Sequence, residues 1–166
     1  MTRTETFLQN FERQLGVAHR LSSLAGVPGA LKKLQKKIGL KGPPVASPHP
    51  DFEGLDVAFH AGTIDDRLAL TRADAALAET GTLVFASGPK APPSLNFIPE
   101  VHAVVLRESE ILESQEELWQ MLRERDQPFP RTLNLITGPS RTGDIEQTLY
   151  LGAHGPKEVH LFLVKG

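Results

Sequence analysis

Two stretches decide the fold: Val101-His102-Ala103-Val104-Val105-Leu106 and Val159-His160-Leu161-Phe162-Leu163-Val164. Each is a nearly continuous apolar run, not an alternation of apolar and polar residues. Strands buried on both faces have this composition, and they occur in parallel sheets covered by helices. Around these two runs, short apolar segments alternate with helical ones. Thr82–Ala86 and Thr132–Ile136 are expected strands, and Leu55–Phe59 is another. Asp66–Ala78 is expected to be a helix, from the spacing of Leu68, Leu70, Ala73, Ala76 and Leu77, with Asp65-Asp66 opening it. Ser114-Gln115-Glu116-Glu117 has the capping-box pattern and starts a helix running to about Arg125. The order strand–helix–strand predicts an α/β protein with an open, mostly parallel sheet flanked by helices.

The amino-terminal part predicts a helical extension up to about residue 42. Phe7, Phe11, Leu15 and Ala18 recur at helical spacing over residues 4–24, and a second helix covers Ala30 to Ile38. Gly42-Pro43-Pro44, Pro48 and Pro50 then make an extended connector before the core. The 166 residues suit one α/β domain spanning 1–166.

Composition excludes several classes of function. With 40% apolar and 23% charged residues the chain is an ordinary globular one. No apolar run approaches about 18 residues, so no membrane span is expected. Met1-Thr2-Arg3-Thr4-Glu5 lacks the apolar stretch of a secretory signal, which points to the cytoplasm. The absence of cysteine excludes disulfides, thiolate metal sites and a cysteine nucleophile in this chain. Few aromatic residues and a net charge of −2 argue against nucleic-acid binding. The charge is unevenly spread. Residues 1–42 hold eight Lys/Arg against two Asp/Glu, and the remainder ten against eighteen. That asymmetry fits either a basic arm docking on an acidic partner or a solvated helix over an acidic body.

The best candidate site is Thr137-Gly138-Pro139-Ser140-Arg141-Thr142-Gly143-Asp144, between an expected strand and a helix expected to start near Asp144. In open α/β sheets ligands bind beyond the carboxyl ends of the strands. Its glycines permit unusual backbone geometry, its hydroxyls and amides can surround an anion, and Arg141 can grip a carboxylate or phosphate. An ordinary turn with Asp144 as helix cap is the alternative. Ala78-Glu79-Thr80-Gly81-Thr82 is a second candidate, with Glu79 as a possible nucleophile or base. Ala86-Ser87-Gly88-Pro89 is a third, able to present donors at a strand end. The six histidines (His19, His49, His60, His102, His154 and His160) show no metal-ligand spacing, and no metal is expected. His102 fits a core residue, and His154 either a ligand contact or a turn. Trp119 and Phe129 fit packing roles.

Four stretches in order carry a family resemblance. They are Glu79-Thr80-Gly81-Thr82-Leu83, Phe97-Ile98-Pro99-Glu100-Val101-His102, Ile136 through Glu146, and Gly152-Ala153-His154-Gly155-Pro156. Over about residues 74–166 the chain resembles the lactate utilization protein C, or LUD-domain, family. The resemblance implies a fold like that of ribose-5-phosphate isomerase and the CoA transferases. It implies a part in oxidation of L-lactate to pyruvate, with two iron–sulfur partner proteins that hold the clusters and no cofactor on this chain. Thr80, Gly81, Thr82, Ser87, Gly88, Thr137, Gly138, Ser140, Arg141, Thr142, Asp144, Glu146, His154 and Gly155 are the expected ligand-binding residues, for a small carboxylate or phosphate. Glu79 is the catalytic candidate, and whether the chain is itself an enzyme stays open. The alternative is a stand-alone enzyme or binding module for a phosphorylated sugar, acyl-CoA or other small anionic metabolite.

Overall fold

Thr2 and Glu5 start the first helix by satisfying each other's backbone. The Thr2 hydroxyl accepts from the Glu5 amide at 3.2 Å, and the Glu5 carboxylate accepts from the Thr2 amide at 2.7 Å. In the computed structural model, which describes residues 1–57, 67–89, 91, 93–143, 149–151 and 155–166, this helix is α1, Arg3–Arg13. Phe7, Leu8 and Phe11 form its buried stripe. The helix does not continue to residue 24. Leu15 takes a left-handed φ of 68° and reverses the chain, and Val17–Leu21 becomes strand β1. Ala18 therefore belongs to a sheet, although its spacing from Phe7 and Phe11 is helical.

Helix α2 spans Val27–Ile38, with Pro28 in its first turn and Gly39 closing it. The proline-rich connector contributes a two-residue strand, β2, Val45–Ala46. Residues 55–57 are not a strand, and the rest of that expected element lies outside the described residues. The helix expected over 66–78 is instead two strands where described, β3 (Leu68–Arg72) and β4 (Ala75–Leu77). Leu68, Ala69, Leu70 and Thr71 are all buried, so both faces of β3 are covered. An apolar run of that kind satisfies helix and strand spacing alike, and tertiary burial decides it.

The remaining elements follow the expected order more closely. They are β5 (Thr82–Ala86), β6 (Val101–Arg107), β7 (Ile111–Leu112), α3 (Gln115–Glu124) and β8 (Leu133–Ile136). Two short strands, β9 (Arg141–Gly143) and β10 (Leu149–Leu151), pair antiparallel. The chain reaches its last strand, β11, at Glu158–Val164. Ser114 caps α3 as expected, accepting from the Glu117 amide, while the Glu117 carboxylate accepts from Glu113 rather than from Ser114.

The expected open parallel sheet is present as five strands in the order β1-β11-β6-β3-β2. A second sheet, β7-β4-β5-β8, pairs antiparallel except between β4 and β7. Helix α2 covers one face of the parallel sheet through Val27, Leu31 and Leu34. The other face packs with α1 and the second sheet around Phe7, Phe11, Leu83, Val104 and Leu161. Helix α3 covers the far side of the second sheet with Leu118 and Leu122, joined by Trp119. Phe129 does not pack and is 58% exposed. The amino-terminal part holds the two expected helices, α1 and α2, and β1 between them joins the main sheet.

No helix among the described residues is long and apolar enough to cross a membrane.

Candidate functional site

The two threonine–glycine loops meet. Thr80 Oγ1 lies 2.7 Å from Thr82 Oγ1, which lies 2.7 Å from Thr137 Oγ1. Three hydroxyls in a row carry three protons, and the two links between them use two. Where the row runs head to tail, its end hydroxyl, Thr80 or Thr137, keeps a proton for an outside acceptor; where both ends donate to Thr82, the spare proton is that of Thr82. Both end residues are exposed, while Thr82 between them is buried. A Thr82→Val substitution removes both links without changing shape. It is expected to cost about 1–2 kcal/mol in urea unfolding and to speed amide exchange in residues 137–141.

The glycines of these loops seat the end of α1. Gly81 has φ of 70°, and a Cβ there would stand 2.3 Å from the Phe11 nitrogen. Gly138 has φ of 77°, and a Cβ there would stand 2.1 Å from the Gln14 carbonyl oxygen. Asn10 Nδ2 donates to the Ala78 and Glu79 carbonyls at 2.8 and 3.2 Å, and Arg141 donates to Gln14 Oε1 at 2.6 Å. Ser140 joins the same group through its amide, which donates to the Pro156 carbonyl at 2.9 Å. Gly155 lies against the Ser140 side chain.

The cluster lies at the amino ends of β1 and β11, where Gln14 and Pro156 precede those strands. This reverses the expectation from parallel-sheet topology. Loop 137–143 leaves β8, an outer strand of the second sheet, and its last three residues form β9. Asp144, Glu146 and His154, with the expected helix start, lie outside the described residues, as does the Thr142 side chain.

Other expected residues lie apart. The Glu79 carboxylate is exposed and accepts from the Gln115 amide at 2.8 Å, at the first turn of α3. Ser87 and Gly88 follow the opposite end of β5, about 16 Å along the strand from Thr82. There Ser87 Oγ accepts from the Thr132 amide at 2.9 Å, extending the pairing of β5 with β8. Ser87 also borders a polar crevice between the sheets, with Ser47, Thr71, Asp74, Asn96 and Asn134. Behind Thr71 lies His102, fully buried, its Nε2 2.7 Å from Thr71 Oγ1 and its Nδ1 without a partner among the described residues. Burial lowers the His102 pKa to about 3, so the ring is neutral. Desolvation raises the Asp74 carboxyl above its ordinary value, although it accepts from the Ala86 amide at 2.8 Å.

Among the described residues no group of three His, Asp or Glu is placed to hold a metal ion. The spacing of the histidines hides one pairing: His19 on β1 and His160 on β11 stand 3.0 Å apart, nitrogen to nitrogen. Assigning residue 19 to a helix concealed it.

The LUD domain family model matches residues 61–164, which include all four motif stretches. The chain belongs to the LUD domain family. Among its relatives is the lactate utilization protein C of Anoxybacillus flavithermus, 33% identical over 89 residues, covering 54% of this chain and 40% of that protein. The lactate utilization protein C of Geobacillus kaustophilus is 30% identical over 115 residues, covering 68% of this chain and 46% of that protein. The chain thus spans less than half the length of these relatives. The crystal structure of a DUF162 family protein from Deinococcus radiodurans has the same fold, with a TM-score of 0.60 and 23% identity. That likeness covers 100% of this chain and 99% of the other.

Proposed function

We propose that this LUD-domain chain is a component of an L-lactate utilization system. The observation that carries the reading is the family membership together with relatives named lactate utilization protein C. The convergence of Thr80, Thr82 and Thr137 supports it, because an exposed end hydroxyl of a head-to-tail row can donate to a carboxylate oxygen. In this reading the small carboxylate binds at the motif loops at the amino ends of β1 and β11. Glu79 holds α3 in place and does not attack the substrate.

Oxidation of lactate to pyruvate turns the CH–OH carbon into a ketone and releases two electrons and two protons. A chain without cysteine supplies no thiolate ligands for a cluster. The electrons therefore pass to two iron–sulfur partner proteins, and the complex works in the cytoplasm. Affinity purification of the tagged native protein should bring down both partners. Deletion in a strain without a second copy should stop growth on L-lactate. Unchanged growth of that strain would reject the reading. Stabilisation by sugar phosphates or CoA but not by lactate or pyruvate, in a thermal-shift series, would favour the stand-alone alternative.

A further inference from the structure

We propose that the cleft between β1 and α2 binds a phosphate-bearing small molecule, with His19 as a proton-accepting contact backed by His160 and Glu158. The cleft has a volume of about 510 Å³, within the range of ligand pockets. It is lined by His19, His160, Arg20, Lys33 and Lys37, with Gly26, Gly29 and Ala30 leaving its α2 side open. It lies apart from the threonine cluster and does not depend on the lactate reading. Both β1 and α2 precede the residues matched by the family model.

The charge pattern selects the ligand class. Lys33 and Lys37 make no ion pair among the described residues, whereas neighbouring Lys32 pairs with Asp56, and Arg20, which borders the cleft, interacts with Glu5 of α1. Lys33 and Lys37 are four residues apart on one face of α2, and like charges at that spacing repel. An anion between them reverses the sign of that interaction. Two unpaired lysines on one cleft exceed what a single carboxylate neutralises, and they match a phosphate dianion or diphosphate.

The histidines form a directed relay. Glu158 Oε2 lies 2.7 Å from His160 Nε2, and a carboxylate only accepts, so that nitrogen carries the proton. His160 Nδ1 is then the acceptor for His19 Nε2–H at 3.0 Å. This leaves His19 Nδ1 as an open basic position, with no hydrogen bond among the described residues. His160 is completely buried, so the relay is fixed from behind. Desolvation, then His160 and Lys37, hold the His19 pKa below the ordinary histidine value in the empty cleft. A bound anion offsets the charges of His160 and Lys37 and attracts a proton to Nδ1, which Glu158 stabilises through the relay. The groups facing His19 are Lys33 and Lys37 on α2, and His160 and Glu158 on β11, while Arg20 points to the other face of β1 toward Glu5. Binding therefore takes up a proton and strengthens as pH falls.

Calorimetric titration of the full chain with inorganic pyrophosphate near neutral pH tests the cleft. A Kd below about 1 mM is expected. The double variant Lys33→Ala/Lys37→Ala should weaken binding at least tenfold, and Lys32→Ala should leave it unchanged. Sulfate, whose charge is constant across this range, tests the relay. Its affinity should rise several-fold from about pH 8 to about pH 6, and His19→Gln should flatten that rise. All four substituted side chains reach solvent, and circular dichroism checks that the variants stay folded. Absence of pyrophosphate binding to the native chain overturns the site, as does equal affinity in the double lysine variant. A sulfate affinity independent of pH overturns the role of His19.

Discussion

Gly81→Ala is expected to lower stability by about 3 kcal/mol or more and to detach α1 from the body of the protein. Two costs add at this position. The left-handed φ of 70° disfavours any side chain by about 1–2 kcal/mol. The added Cβ would also stand 2.3 Å from the Phe11 nitrogen and 2.5 Å from the Asn10 carbonyl carbon. Those atoms are helix backbone and cannot rotate away, so α1 must move as a body. Movement withdraws Phe7 and Phe11, both fully buried, from the core they share with Leu83 and Val104. Gly39→Ala separates the two costs, because Gly39 has a similar φ of 69° with nothing near the new Cβ. It should cost about 1 kcal/mol. Equal urea midpoints for the Gly39 and Gly81 variants would show that α1 does not press on this loop.

Acidification from about pH 6.5 to about pH 4.5 is expected to remove about 2–3 kcal/mol of stability, mostly through His102. The sign follows from proton counts. Folded His102 stays neutral down to a pKa of about 3, while the unfolded chain takes up the proton near 6.5. Between those values the unfolded state holds the extra proton, so stability falls with pH by up to about 1.4 kcal/mol per unit. His19 and His49, lowered chiefly by desolvation, act in the same direction, but both are partly exposed and count for less. Asp51 acts only at lower pH. Desolvation raises its carboxyl, but the bonds from Arg107 and Arg72 outweigh it and hold the group below the ordinary aspartate value. Urea midpoints across this range should show the slope, and His102→Gln, which can still reach Thr71, should remove most of it. The His102 ring resonance in the native protein should not titrate above about pH 4.5; a midpoint near 6.5 would refute the account.

The parts of the fold legible in the sequence were those whose surroundings are uniform. β6 and β11 lie side by side and are buried on both faces, so their composition alone marked them. β3 shares that burial, but its leucines and alanines also satisfy a helical period, and only pairing with β6 settles it. β1 was hidden because the single glycine at the turn, Gly16 after the left-handed Leu15, is outweighed by the helical spacing of Phe7, Phe11, Leu15 and Ala18. The threonine and glycine positions of the two motif loops were legible as a set. What the glycines accommodate was not, because Phe11 and Gln14 are far away in the chain. The same separation concealed His19 and His160, which belong to strands from opposite ends of the sequence.

The strand order has a consequence for how the protein is made. β11, the last of the described strands in sequence, lies between β1 and β6. While the ribosome is still short of residue 158, β1 has no neighbour in the sheet and the edge of β6 is open. The nascent chain therefore carries Val104, Leu106 and the α1 aromatics without their final cover until residues 158–164 have been made. Folding is a late, long-range closure rather than a progressive one, and the exposed strand edges meanwhile are natural clients for chaperones.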